Sequence, residues 1–135
     1  IQFFSEFNVE NLLKQINFWP ARMCRVMAEI VSEVDTNKLA TLNAHLASPA
    51  PKKRIAALQA VEYLNCASDV RDAVLGMLHD PRIEVRVRAI DTLSASNDVS
   101  LQELIPTLLG DANTDVVDAA NRASKRFERM NSSQS

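Results

Sequence analysis

Residues 78–93, LHDPRIEVRVRAIDTL, carry two conflicting periodicities. Ile83, Val85, Val87 and Ala89 alternate with Glu84, Arg86 and Arg88, the period of a half-buried strand. Ile83, Val87, Ile90 and Leu93 also stand at i, i+4, i+7 and i+10, one stripe of a helix. Arg82, Arg86 and Arg88 add a third reading, a basic strip that meets an anionic partner.

Internal repetition separates the first two. Leu46-Ala-Ser48-Pro49 opens one copy, Leu78-His-Asp80-Pro81 the next and Leu109-Gly-Asp111-Ala112 a third. Ala57, Ala89 and Ala120 follow these leucines at one constant offset, and the step from Leu78 to Leu109 is a single position shorter than that from Leu46 to Leu78. Ser48, Asp80 and Asp111 fall where a helix N-cap belongs, and Pro49 and Pro81 follow two of them in a first-turn position. The third copy places Val116, Ala120, Ala123, Phe127 and Met130 at a 4-3-4-3 spacing with no alternation, so it is a helix. Equivalent positions share a conformation, and residues 83 to about 95 are therefore helical.

Further helices lie between and before these. Residues 68–78 carry Val70, Val74, Met77 and Leu78, and residues 98–109 carry Leu101, Leu104, Ile105, Leu108 and Leu109, with Pro106 expected to kink or shorten the helix. Residues 35–46 read as another first helix of a pair. Upstream, residues 20–34 put Met23, Met27, Ile30 and Val34 on one stripe, preceded by a short helix over 8–16. The unit is a pair of antiparallel helices joined by a short turn, and about four such pairs account for the chain.

The string D-x4-V-R-x2-A-x3-L, present as Asp80, Val85, Arg86, Ala89 and Leu93, resembles a HEAT repeat. The short period resembles the HEAT-like class first associated with phycobilisome lyases. The resemblance extends over residues 46–127. It implies an all-α fold, a right-handed α-solenoid (alpha-alpha superhelix) of about four HEAT-like helix pairs. The expected organisation is one domain over residues 1–130, with a degenerate N-terminal repeat or cap over 1–45, clear repeats over 46–130 and a disordered tail over 131–135.

Composition agrees with a single soluble domain. Fifteen Lys and Arg against seventeen Asp and Glu give a net charge of −2, so no global basic field favours nucleic acid. Two glycines in the whole chain are too few for a turn-rich β fold or a phosphate-binding loop. Cys24 and Cys66 form no CxxC and are read as reduced thiols. The longest charge-free run extends only from Leu39 to Pro51, too short to span a bilayer, so no membrane insertion by this segment is expected. The first residue is Ile1 rather than Met, which reads as the C-terminal part of a larger, cytoplasmic protein.

Catalytic chemistry has little material. His45 and His79 are the only histidines and neither precedes a Glu, so the His-Glu iron pairs of HEAT-repeat hydroxylases are missing. No zinc spacing, nucleophile elbow or phosphate loop occurs, and no catalytic, cofactor or metal residue is assigned. The expected function is non-enzymatic, a scaffold that binds another protein or another domain of its parent chain. Two alternatives within the resembled fold are an accessory subunit of a bilin-lyase-like enzyme and a HEAT-like nucleic-acid-binding or glycosylase domain.

In proteins of the resembled family, Asp at the turn and Arg in the second helix form a ladder between repeats. Pairing Arg54 with Asp80 and Arg86 with Asp111 uses every such residue here. The binding surface is expected on the concave face of the second helices: Lys52, Gln59 and Tyr63, then Glu84, Arg88 and Asp91, then Asp115, Arg122 and Arg126. Its mixed signs suit a polar protein surface better than a phosphate backbone. Asn121 and Ser124 replace the apolar Leu58/Ile90 and Val61/Leu93, as a capping repeat requires. At the other end Phe3, Phe4, Phe7, Phe18 and Trp19 read as a hydrophobic lid on the first repeat or as a docking patch.

Overall fold

The computed structural model describes residues 6–134. Among them are eight α-helices and no strand: α1 Val9–Gln15, α2 Ala21–Val34, α3 Lys38–Leu46, α4 Pro51–Leu64, α5 Arg71–Gly76, α6 Ile83–Ala95, α7 Val99–Leu108 and α8 Thr114–Gln134. They form four antiparallel pairs, and α2, α4, α6 and α8 pack side by side in chain order. The first helices α1, α3 and α5 succeed one another in a second layer, while α7 leans mainly on α8. The fold is an all-α solenoid, and the 78–93 stretch is helix from Ile83 onward.

The local chemistry repeats with the fold. Ser48 Oγ accepts from the Ala50 N–H at 3.1 Å, Asp80 Oδ1 from Arg82 at 2.9 Å and Asp111 Oδ1 from Asn113 at 2.8 Å. These side chains therefore close the turn from two residues before the N-cap, rather than serving as the N-cap that their residue types suggest. The caps of α4 and α6 are Ala50 and Arg82, and Pro51 occupies the first turn of α4, where its missing N–H costs nothing. Asn113 precedes α8 and accepts from the Asp115 N–H at 2.9 Å.

Helices α4 and α6 stop at asparagine. Asn65, the residue after α4, has φ 52°, and Asn97, two residues beyond α6, has φ 59°. Asn tolerates this left-handed conformation better than other residues bearing a Cβ, so the chain ends these helices without glycine. The position equivalent to Asn65 and Asn97 in the third copy is Glu128, which offers no such stop. This explains a correction: residues 131–134, expected in a disordered tail, continue α8 as helix, and Ser135 lies outside the described residues. Asn65→Gly is expected to leave thermal stability within a few tenths of a kcal/mol, and Asn65→Val to cost about 1–2 kcal/mol by forcing a β-branched residue to positive φ.

Two first helices are irregular. The segment expected as one helix over 68–78 is a 3-10 turn (Ala67–Val70), the short α5 and a second 3-10 turn (Met77–His79). Helix α7 contains Pro106 two residues before its end, so the proline shortens rather than breaks it. The core is a continuous band including Leu12, Leu42, Leu58, Val61, Ile90, Leu93, Leu101 and Val116.

The apolar stripe of α2 is rotated from the expected one. Cys24, Met27, Ala28 and Val31 are buried, whereas Met23 and Val34 are exposed, because no second helix precedes α2 among the described residues to cover them. Phe7 packs against the core, but Phe18 is 82% exposed and forms no lid; Phe3 and Phe4 lie outside the described residues.

Both cysteines are free and buried. Burial, reinforced by nearby Asp69, pushes the Cys66 thiol up to about 11, and burial also raises Cys24. Cys66 should therefore alkylate far more slowly than a free thiol at pH 8. An unfolded chain ionises this thiol above about pH 9 while the folded one keeps its proton. Stability is thus lost as pH rises from about 9 to 11, by on the order of 2–3 kcal/mol. Denaturant titrations across that window, compared with Cys66→Ala, check the assignment.

Candidate functional site

A groove of about 430 Å³ crosses α4, α6 and α8, lined by Ile55, Ile83, Glu84, Val87, Arg88, Asp91, Asp115, Asp118 and Arg122. Its apolar residues, Ile55, Ile83 and Val87, are half-buried and pack against the edge of the core along α4 and α6. Ile55, Val87 and Asp118 occupy equivalent positions in successive copies, so the repeat itself builds the groove. Five surface residues expected from sequence meet here: Glu84, Arg88, Asp91, Asp115 and Arg122.

The others are distributed. Gln59 and Tyr63 join Arg88, Glu62 and Arg25 in an adjoining depression of about 270 Å³. Lys52 is separated from them: it lines a different groove with Lys53, His45, Glu10 and Lys14. Arg126 is tied to its neighbour, its Nε donating to the Ser94 carbonyl at 3.0 Å.

Charges in the groove are unequally engaged. Arg88 Nη1 lies 3.7 Å from Glu62 Oε2, and that same oxygen accepts from the fully buried Thr92 hydroxyl at 2.9 Å. Arg122 Nη2 lies 3.4 Å from Asp91 Oδ1. Glu84, Asp115 and Asp118 have no ion-pair partner among the described residues and are exposed. The groove is therefore apolar along its floor and acidic at its rim. The floor residues Ile55, Ile83 and Val87 and the rim residue Asp118 were missed by the sequence reading. The available signal was the return of Ile55 as Val87 and then Asp118 at the repeat interval.

Beneath the groove, Arg54 reaches the next repeat. Its Nη2 donates to Asp80 Oδ1 at 3.0 Å, its Nε lies 2.8 Å from Oδ2, and its Nη1 donates to the Ser48 carbonyl at 2.9 Å. Arg86 makes only the equivalent of the last bond, from Nη1 to the Asp80 carbonyl at 2.8 Å. The expected Arg86–Asp111 pair does not form: Asp111 serves its own turn, and Arg86 Nε is buried without a partner. The interval from Arg86 to Asp111 is a single position shorter than that from Arg54 to Asp80, and this contraction moves the third turn out of register with the arginine.

A second inter-repeat link was not anticipated. Arg71 of α5 pairs with Asp98, the N-cap of α7, at 2.7 Å, and also bonds the Ser100 hydroxyl. Asp98 in turn accepts from the backbone N–H of Ser100 and Leu101. At the other end, Asp35 Oδ2 accepts from the Val9 N–H at 3.0 Å, and His45 Nε2 lies 3.0 Å from Glu10 Oε1. No group of three His, Cys, Asp or Glu side chains capable of holding a metal occurs among the described residues, and no helix there is long and apolar enough to cross a membrane.

The chain matches no curated protein and no solved structure. Residues 39–125 match the family model described as HEAT repeats. That span begins at Leu39 in α3 and ends at Lys125 in α8, within the stacked pairs. The chain belongs to the HEAT-repeat family, whose repeats generally mediate protein–protein interaction.

Proposed function

We propose that this domain is a non-enzymatic, cytoplasmic protein-interaction module that binds an extended or helical partner segment in the groove across α4, α6 and α8, on the concave side of the stack. The observation that carries this reading is the pairing of an apolar floor (Ile55, Ile83, Val87) with three unengaged carboxylates at the rim (Glu84, Asp115, Asp118). Such a surface fits a segment with aliphatic anchors flanked by Lys or Arg. The fixed stacking of the helices keeps the ordering cost on the domain side small. The excess of carboxylate opposes a phosphate backbone, which favours a protein partner over nucleic acid.

Selection of peptides from a random display library tests the proposal directly. Enriched peptides are expected to combine aliphatic and basic residues and to weaken with salt. The doubly reversed Glu84→Lys/Asp118→Lys variant should bind them at least about tenfold less tightly, with unchanged melting temperature because both positions are exposed. Peptides that bind the variant equally well would place the function elsewhere.

A further inference from the structure

The outer side of α2 carries a second, unlike surface. Met23, Val26, Ile30 and Val34 recur at helical spacing, and exposure reaches 52% at Val26 and 48% at Met23. Val26 and Ile30 are equivalent to Ala56 and Ala60 of α4, Arg88 and Thr92 of α6, and Ala119 and Ala123 of α8. In α6, Arg88 and Thr92 contact Glu62 of the preceding second helix. The α2 stripe therefore lies on the side where a second helix would pack. At the opposite end of the stack α8 presents the exposed Asn121 and half-buried Ser124, so the apolar side of α2 does not match the end of α8.

The charges beside the stripe identify what does match. Arg22 stands in the first turn of α2 and Glu33 in the last, with no acid in the first turn and no base in the last. That order is the reverse of what the helix dipole favours. Both side chains are exposed, and neither has an ion-pair partner among the described residues. An antiparallel copy of α2 reverses the arrangement. Glu33 of each helix then lies beside Arg22 of the other, a carboxylate at each N-terminus and a guanidinium at each C-terminus. In the same register Val26 meets Ile30 and Met23 meets Val34.

The two-fold axis of such a pair is perpendicular to both helices, so the flank bearing Arg22 and Glu33 meets the same flank of its partner. The surface is thus self-complementary in both shape of pattern and sign of charge. We infer that α2 is a homodimerisation surface, through which two copies of this chain join antiparallel, stripe to stripe, at the α2 ends of their solenoids. The groove across α4, α6 and α8 remains open in that dimer.

Sedimentation velocity across a wide concentration series, on the full chain, tests this. The wild type is expected to shift from monomer to dimer, and Val26→Asp to weaken the dimer by on the order of a hundredfold because a buried carboxylate is introduced twice. Helix content should be unchanged, since Val26 is exposed in the monomer. Arg22→Glu alone and Glu33→Arg alone should each weaken association by about tenfold, and the double exchange should restore it, because it preserves the pairing with signs reversed. A wild type that stays monomeric would overturn the inference. A dimer indifferent to Val26→Asp, or a double exchange no better than the single ones, would overturn it as well.

Discussion

Replacing Asp80 with Ala is expected to lower stability by about 3–5 kcal/mol, the characteristic cost of removing one member of a buried ion pair. The Asp80 side chain is 8% exposed and that of Arg54 11%, so the guanidinium left behind has little access to water. The same substitution removes the acceptor for the Arg82 N–H and so loosens the turn into α6. Arg54→Met should cost less, because Asp80 would keep that backbone bond and the methionine would fill the space of the arginine stem. Chemical denaturation of both variants measures the difference. Equal, small losses would mean that solvent reaches the pair freely. Arg86→Met offers a contrast: with no carboxylate to strand and one unsatisfied Nε removed, it should be close to neutral.

Leu93→Ala should cost about 2–5 kcal/mol, since Leu93 is fully buried in α6 and its neighbours can collapse only in part around the lost volume. Its equivalent in α8 is Ser124, which is half-buried with no helix following α8 among the described residues. Ser124→Leu should therefore change stability by no more than about 0.5 kcal/mol. The two substitutions probe the same place in the repeat from opposite directions. A thermal melt that showed similar effects for both would contradict the placement of Ser124 on an uncovered side of α8.

Several features were readable in the sequence because they repeat. The regular return of Leu46, Leu78 and Leu109 turned an ambiguous strand-or-helix stretch into a helix, since the third copy lacks alternation altogether. Turn closure by Ser48, Asp80 and Asp111 repeats too, although the helix caps fall two residues later than side-chain type suggested. Where the repeat is imperfect, reading failed. The contraction before Asp111 defeated the second rung of the ladder, and Glu128 in place of a terminating asparagine carried α8 beyond its expected end. On α2, periodicity alone could not say which of two apolar stripes faces inward: both exist, and only the position of α4 selects Cys24, Ala28 and Val31. The groove was half legible. Its charged residues were found as the ridge opposite the core, but its apolar floor was hidden among residues that look like core.

The two layers of the solenoid differ as mechanical elements. Between α6 and α8 the helices share a wide apolar contact, and separating them means exposing buried side chains such as Ile90 and Ala123. Between α5 and α7 the layer has a seam, spanned chiefly by Arg71 reaching to Asp98 and Ser100 from the short α5. Arg71 is 40% exposed, and water can take over its contacts as the seam widens. The molecule is accordingly an anisotropic spring: stiff against shear of its second helices, compliant to bending that hinges on that layer and opens the seam. The groove across α4, α6 and α8 lies on the stiff side, so flexing of this kind alters the tilt of its walls while its floor stays in register.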